Sequence, residues 1–406
     1  MGWQGRDDHL LARDSKGGVL PTLDNVVLIL DRDDRWDGVI AYNEFSGQVM
    51  KLKIAPIEQG ETGEWTDMDD ARLELWLAVN YGLRRMPEST LQRGVALAAD
   101  KNRYHEVRDF LNGLVWDGVP RLAEWLHAYM GAEQSEYAAL AGTKFLVGAV
   151  ARILRAPAPT KMELVLTLSG PQGAGKSTAL KVLFWPWFTD SAFEIGSTDG
   201  YQIIRGSWGV EMAELDGFNR AENSKSKGFF SREIDRYRSP YGRKPINVLR
   251  QCVFMGSVNH TTWLKDDSGN RRHLPVTVGA IYIEELRADR DQLWAEAVDA
   301  YRRGTSWWVA ASESAIFEGE QEQHYTGDAY EDRIRAWMNE SDPDTHQRIS
   351  EVTTRRILAD CLKLEISKWT MAEQIRVGRI MQRMGWSRRR AGSGSREWVY
   401  VRPEGK

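Results

Sequence analysis

Cysteine is nearly absent from this 406-residue sequence: only Cys252 and Cys361 occur, with no CxxC pair and no Cys/His cluster. That excludes a disulfide framework and a zinc module, and it makes the reduced cytoplasm the expected compartment. Long hydrophobic runs are also lacking. The most apolar stretch, residues 145–154, is too short to span a bilayer and carries Arg152, and the first eight residues hold no apolar stretch, so neither export nor membrane insertion is expected. Positive charge is not in excess either. Lys and Arg number 54 against 58 Asp and Glu, a net −4 with a pI near 6.1, which excludes a uniformly basic nucleic-acid coat. The remaining composition, 42 % hydrophobic and 28 % charged, is that of an ordinary globular chain long enough for two or three domains. Tryptophan stands out at 17 residues, most of them expected as core or interface anchors because indole buries a large area at little entropic cost.

Residues 26–30, 39–42 and 48–54 read as short β segments between turns, so residues 1–68 are expected to form a small β-rich module. The acids Asp31, Asp33, Asp34 and Asp37 fail the calcium-loop pattern, since the sixth and twelfth positions counted from Asp31 are Trp36 and Tyr42; a solvated acidic turn is expected. The period then becomes helical. Leu73, Trp76, Leu77 and Tyr81, then Val107, Phe110, Leu111 and Leu114, then Leu122, Trp125, Leu126 and Tyr129 form stripes, and residues 137–154 are apolar nearly all round, predicting a helical subdomain over 69–157. Ala156-Pro157-Ala158-Pro159 breaks that pattern and marks a boundary. Beyond it, strand-like runs at 164–168, 208–212, 252–258 and 274–278 alternate with helical stretches, predicting an α/β domain over 158–327. In 328–406 a helical stretch from Ser350 to Leu362, a second helix opened by Thr370 and Glu373 as a capping box, and strands at 386–390 and 396–401 give the order of a winged helix.

The sharpest motif is Gly170-Pro171-Gln172-Gly173-Ala174-Gly175-Lys176-Ser177, followed by Thr178, which matches GxxxxGK[ST] in full between a strand and a helix. Glycines let backbone N–H groups converge on phosphates, the helix N-terminus adds partial positive charge, Lys176 brings a mobile cation, and Ser177 offers a hydroxyl to Mg²⁺. The motif therefore predicts a nucleotide triphosphate site with Mg²⁺. Hydrolysis also needs an acid near the end of a neighbouring strand. Glu214 is the first choice, as metal ligand and polarising carboxylate, because it lies nearer the carboxyl end; Glu211, on the opposite face by spacing, is kept as a second ligand or structural carboxylate. Asn259 ends the strand at 252–258, where it can orient the attacking water. Arg271 and Arg272 follow a turn, and an arginine fork there suits the stabilisation of phosphoryl charge.

These blocks, with Asp-Arg-Tyr-Arg-Ser-Pro-Tyr-Gly-Arg at 235–243 and Arg-Gln-Cys-Val-Phe-Met-Gly-Ser-Val-Asn at 250–259, resemble the virulence-associated protein E family of phage and pathogenicity-island P-loop ATPases, similar to superfamily 3 helicases of the AAA+ type. The resemblance covers about residues 100–337. It implies an AAA+-like P-loop core with Lys176 and Ser177 on Walker A, Glu214 on Walker B, Asn259 on sensor 1, and Arg271 or Arg272 as an arginine finger reaching a neighbouring subunit of a ring, a hexamer by analogy. The family more often has an aromatic residue where this chain has His273, which leaves open which arginine acts.

Nucleic-acid contact is expected at two places. Residues 236–250 hold five basic residues and no acid, interleaved with Tyr237 and Tyr241, the composition of an element that tracks single-stranded DNA; Arg238, Tyr241, Arg243 and Lys244 are its candidates. Helicases of this type carry a hairpin just before sensor 1, which would put Gly242, Arg243 and Lys244 at the tip. The second place is residues 376–402, where eight arginines face one acid, Glu397; Arg388, Arg389 and Arg390 precede a Gly/Ser tip that would act as a wing, on duplex DNA. The expected function is an ATP-dependent DNA helicase or replication initiator of a phage or mobile element, acting in the bacterial cytoplasm. The alternatives are a DNA-binding ATPase that loads or switches without unwinding, and a phage-interference ATPase that binds a protein partner.

Overall fold

The structure, a computed structural model, describes residues 8–213, 228–238, 244–264, 270–325, 327–340, 348–390 and 398–402. The chain separates into two units, Met1–Thr261 with Asp266–Gln323, and Thr262–Lys265 with His324–Lys406.

The first unit opens with helix α1 (Leu23–Arg32). Its core includes residues 26–30, expected as a strand. The run Val-Val-Leu-Ile-Leu suits either structure, but the buried positions Asn25, Val26, Ile29 and Leu30 follow the helical period. Asn25 fixes the approach by donating to the Ala12 and Leu20 carbonyls and accepting the Ala12 amide. Strands β1 (Ile40–Asn43), β2 (Gln48–Lys51) and β3 (Gly63–Glu64), helices α2 (Asp67–Tyr81) and α3 (Glu88–Lys101), and strand β4 (Arg103–Tyr104) follow, the sheet running β3-β2-β1-β4. The acidic turn is not wholly solvated. Asp33 is buried, and its carboxylate accepts from Arg35 and from the Tyr81 hydroxyl at 2.8 Å. The acid is worth burying there because four donors converge on it, the backbone amide, Nε and Nη2 of Arg35 and the Tyr81 hydroxyl.

Helices α4 (Glu106–Gly113), α5 (Trp125–Met130) and α6 (Glu136–Leu154) lead to the central sheet. Among the described residues α6 alone is long and apolar enough to cross a membrane, and most of it is buried inside the protein. It buries two cations, Lys144 and Arg152, and Arg152 donates to the carbonyls of Met162, Arg232 and Arg250 at 2.8 to 3.1 Å.

The centre is a parallel sheet of β5 (Val165–Ser169), β6 (Phe188–Thr189), β7 (Gly209–Ala213), β10 (Val253–Val258) and β11 (His273–Thr277), in the order β11-β5-β10-β7-β6. Helix α7 (Lys176–Phe184) follows β5, and α8 (Thr198–Ile204) precedes β7. Strands β8 (Ile234–Arg238) and β9 (Pro245–Leu249) form a separate antiparallel hairpin before β10. The long helix Ile283–Arg302 packs beside α6 and α7. Tryptophans close this core: Trp208 and Trp294 lie 4.1 Å apart with Phe184 edge-on to both, and their indole N–H groups donate to Ala149 and Leu183 carbonyls.

The second unit packs helices Ala329–Asn339 and Met371–Arg383 against β12 (Glu351–Thr353), β13 (Ser387–Arg390) and β14 (Trp398–Val401), in the antiparallel order β12-β14-β13. Thr370 caps the second helix by accepting the Glu373 amide. Residues 351–353, expected to begin a helix, are the strand β12, because Val352 is buried opposite Tyr400 while helical turns start only at Thr354. The whole is a mixed α/β fold built on a parallel sheet.

Candidate functional site

At the carboxyl edge of β5, whose five residues are all buried, the chain turns through Gly170 to Gly175 and enters α7 at Lys176. The turn demands glycine at two positions, Gly173 and Gly175, which take φ of +81° and +90°. Its path is fixed by the Gly170 amide bonding the Val258 carbonyl of β10 at 3.2 Å. Pro171, Gln172 and Gly173 are exposed, Ala174 and Gly175 half-buried, and Ser177 and Thr178 exposed at the first turn of α7.

Lys176 is buried under this loop. Its ammonium donates to the Gly170 and Pro171 carbonyls at 2.8 and 2.9 Å and approaches Asn259 Oδ1 at 3.4 Å. Burial lowers its pKa from the ordinary lysine value, and the Glu211 carboxylate opposes that shift. A mobile cation is thus held at the loop by weak carbonyl acceptors that an anion would outcompete.

Glu211, in the middle of β7, is the acid that meets the motif. Its Oε1 accepts from Ser177 Oγ at 2.7 Å and from Ser257 Oγ at 2.8 Å, while its buried Oε2 has no hydrogen-bond partner among the described residues. The register explains this: Met255 of β10 lies opposite Glu211, and Ser257 falls two residues on, toward the loop edge. Glu214, the first choice from sequence, lies outside the described residues. Ser257 was missed; its signal was its position two residues before Asn259 on one strand. Ser177, Glu211 and Ser257 are oxygen donors suited to a hard divalent cation, with one carboxylate oxygen to spare. No group of three or more His, Cys, Asp or Glu side chains fit to hold a metal occurs among the described residues.

Arg271 and Arg272 lie elsewhere. They form a turn before β11, which runs parallel to β5 with His273 opposite Val165 and Thr277 opposite Ser169. At ~3.3 Å per residue the arginines therefore stand roughly 16 Å from the loop, at the other edge of the sheet. Arg272 donates to Ser231 Oγ at 3.1 Å and lies 3.6 Å from Glu163. Arg271 is exposed, has no hydrogen bond or ion pair among the described residues, and lines a cavity of about 670 Å³ with Arg155, Lys161, Glu163, Trp307 and Trp308. Asp266 and Asp267 lie outside the described residues.

In the β8–β9 hairpin, burial alternates. Asp235 and Tyr237 face inward, and Arg236 and Arg238 outward, with Lys244 exposed just before β9. Arg250, counted in the basic run, is instead buried: it pairs with Asp235 through Nε at 2.8 Å and lies 4.2 Å over Phe229. Tyr241 and Arg243 lie outside the described residues.

In the second unit, Arg388 and Arg390 are exposed on β13 with their guanidinium groups 4.6 and 5.4 Å from the Trp398 ring centre. Arg389 is exposed too but pairs with Glu351. Arg376 is bidentate to Asp328 at 2.6 and 2.7 Å, so part of the arginine surplus is structural.

The family model of the virulence-associated protein E-like domain matches residues 111–326, a span that contains every residue of the loop, of β7 and of the hairpin. Two solved structures align with 10 % and 11 % identity over 89 % of this chain and 95 % of theirs, each at a TM-score of 0.42: the A form apo structure of the NrS-1 C-terminal region (305–718), and the apo structure of the same region. No curated protein matches the chain.

Proposed function

This chain belongs to the virulence-associated protein E-like domain family, and from that premise we propose that it is an ATP- and Mg²⁺-dependent DNA helicase or replication initiator of a phage or mobile element, working as a ring on single-stranded DNA. The observation that carries the reading is the convergence of Lys176, Ser177, Glu211 and Asn259 at the carboxyl edge of one parallel sheet. The strand order supports an AAA+-like core of the superfamily 3 kind, since the strand ending at Asn259 is inserted between the loop strand and the Glu211 strand.

The residues fit the ligand. The loop amides and α7 N-terminus suit phosphate oxygens, and the unpartnered Glu211 oxygen beside the Ser177 hydroxyl suits Mg²⁺. Bound Mg²⁺–ATP supplies a phosphoanhydride whose terminal phosphoryl group passes to water. In this reading Lys176 would exchange its carbonyl acceptors for phosphate oxygens, Ser177 and Glu211 would hold the metal, and Asn259 would orient the water. Glu214 remains a candidate beside Glu211. Since Arg271 and Arg272 stand at the far edge of their own sheet, either would serve as a finger only toward a second copy, and Arg271 is the better placed because Arg272 is engaged.

Exposed Arg236, Arg238 and Lys244 would contact single-stranded DNA, and Tyr241 and Arg243 remain candidates for the same contact. Residues 328–406 would act as a winged helix, with Arg388 and Arg390 on the wing; the divisions at 68/69, 157/158 and 327/328 belong to the same proposal. The test measures ATP hydrolysis and fork strand displacement by wild type and Lys176→Ala. Displacement that needs ATP and is lost with Lys176 is expected. DNA-stimulated hydrolysis without displacement would leave a loader or switch in place of a helicase.

A further inference from the structure

Two turns from distant parts of the first unit interlock. The β1–β2 turn passes through Ser46 and Gly47, the turn after α8 through Arg205 and Gly206, and both glycines are left-handed, at φ +71° and +78°. A Cβ on Gly47 would lie 1.6 Å from Arg205 Nη2, and one on Gly206 would lie 3.2 Å from Ser46 Cβ. Each turn fills the space that the other's missing side chain leaves. So seated, Arg205 donates through Nη1 to the Tyr237 hydroxyl at 3.3 Å, and the Tyr237 ring stacks on Tyr201 of α8 at 5.8 Å and 19°.

The other end of the hairpin meets the same region. His105 Nδ1 accepts the Arg108 amide, so Nε2 carries the proton and donates to Gln251 Oε1 at 2.7 Å, just beyond β9. Phe45 packs on His105 at 5.5 Å, and the cavity lined by Phe45, Arg205, Tyr237 and Gln251 is about 20 Å³, room for about one water. A lone two-stranded hairpin is marginal in water, and among the described residues β8–β9 pairs with no other strand. Its direction must be set from outside. Tyr237 sits between Arg236 and Arg238 in the alternation, so whatever fixes the tyrosine aims both arginines.

We propose that the N-terminal region braces the basic hairpin, with Arg205 as the positioning residue, and that affinity for single-stranded DNA depends on this brace. The proposal rests on the hairpin being the DNA contact. The experiment compares full-length wild type, Arg205→Ala, Gly47→Val and Tyr237→Phe, the last removing only the hydroxyl that Arg205 reaches. Hydrogen exchange over residues 234–249 reads the brace; half-saturation of ATP hydrolysis by an oligo-dT 30-mer reads its use. Exchange over 234–249 is expected to quicken about tenfold with 165–169 and 253–258 unchanged, and half-saturation to weaken about fivefold with basal kcat and KM for ATP kept within about twofold. Unchanged exchange in Tyr237→Phe and Arg205→Ala overturns the brace. Quickened exchange with unchanged half-saturation overturns its link to DNA. A wild type that does not respond to the oligonucleotide refutes the helicase reading, while the exchange data still judge the brace.

Discussion

At the scale of single residues, Glu211 and Glu214 are separated by three positions, a spacing that would point them to opposite faces if the extended chain ran on through Glu214. Glu211 is the one bonded to Ser177 and Ser257, so the face toward the loop is already taken by a carboxylate. Glu211→Gln keeps the shape and one acceptor but removes the charge that a metal needs. It is expected to lower kcat for ATP hydrolysis by about 100-fold or more, with the unfolding temperature unchanged, whereas Glu214→Gln is expected to stay within about threefold. Steady-state ATPase assays on both variants check this, and the reverse ranking returns the role to Glu214. His273 carries a second prediction. Burial, with the neighbouring Arg272 cation second, pushes its pKa down to about 4 from an ordinary 6.5. The neutral ring is kept by the folded state, so as pH falls from about 6.5 toward 4 the unfolded chain takes up a proton that the folded chain refuses. Stability is complete above that window and declines through it, by at most about 2 kcal/mol between pH 7 and 5. Urea unfolding of His273→Phe at the two pH values is expected to lack this share of the decline; an equal decline in both proteins removes His273 as its source.

At the scale of elements, the loop and its strand and helix were legible because every feature there is local. The motif spacing, the buried strand before it and the helix after it are consecutive in the chain. The Thr370 cap was legible for the same reason, whereas the β8–β9 hairpin was expected only from the resemblance, since neither of its strands shows in the local pattern. The helix α1 was not, since five consecutive aliphatic residues satisfy both periods and only the packing of Val26, Ile29 and Leu30 decides. Residues 351–353 failed likewise, as their strand exists only through pairing with residues 399–401. The contact between Glu211 and the motif depended on register, because Ser257, 46 positions away, donates to Glu211 across the sheet. Arg250 misled for a related reason. Its acid, Asp235, stands one residue before the basic run that was counted, so a charge that reads as free is a buried ion pair. Composition registers how many cations a segment has and is blind to which are spent inside the fold.

At the scale of the whole molecule, the net charge of −4 conceals a basic run of +5 over 236–250 and another of +7 over 376–402, and the fold thins both. With Arg250 held by Asp235, Arg376 by Asp328 and Arg389 by Glu351, the exposed cations left for phosphate include Arg236, Arg238, Lys244, Arg388 and Arg390 among the described residues. The loop edge has the opposite shortage: Lys176 is the only cation bonded there among the described residues, while Arg271 stands unpaired at the far edge. A head-to-tail ring, as proposed above, would bring unlike edges of successive copies together and so would join the loop of one to the arginine of the next. Lys176→Ala and Arg271→Ala proteins should then each lose most ATP hydrolysis when alone. A one-to-one mixture should recover about a quarter of the wild-type rate, because random neighbours pair an intact loop with an intact arginine about one time in four. An Arg271→Ala protein of full activity, or a mixture no better than its parts, would show that no copy completes the site of its neighbour. Recovery that rises with time after mixing and follows subunit exchange in mass photometry would tie the rate to assembly.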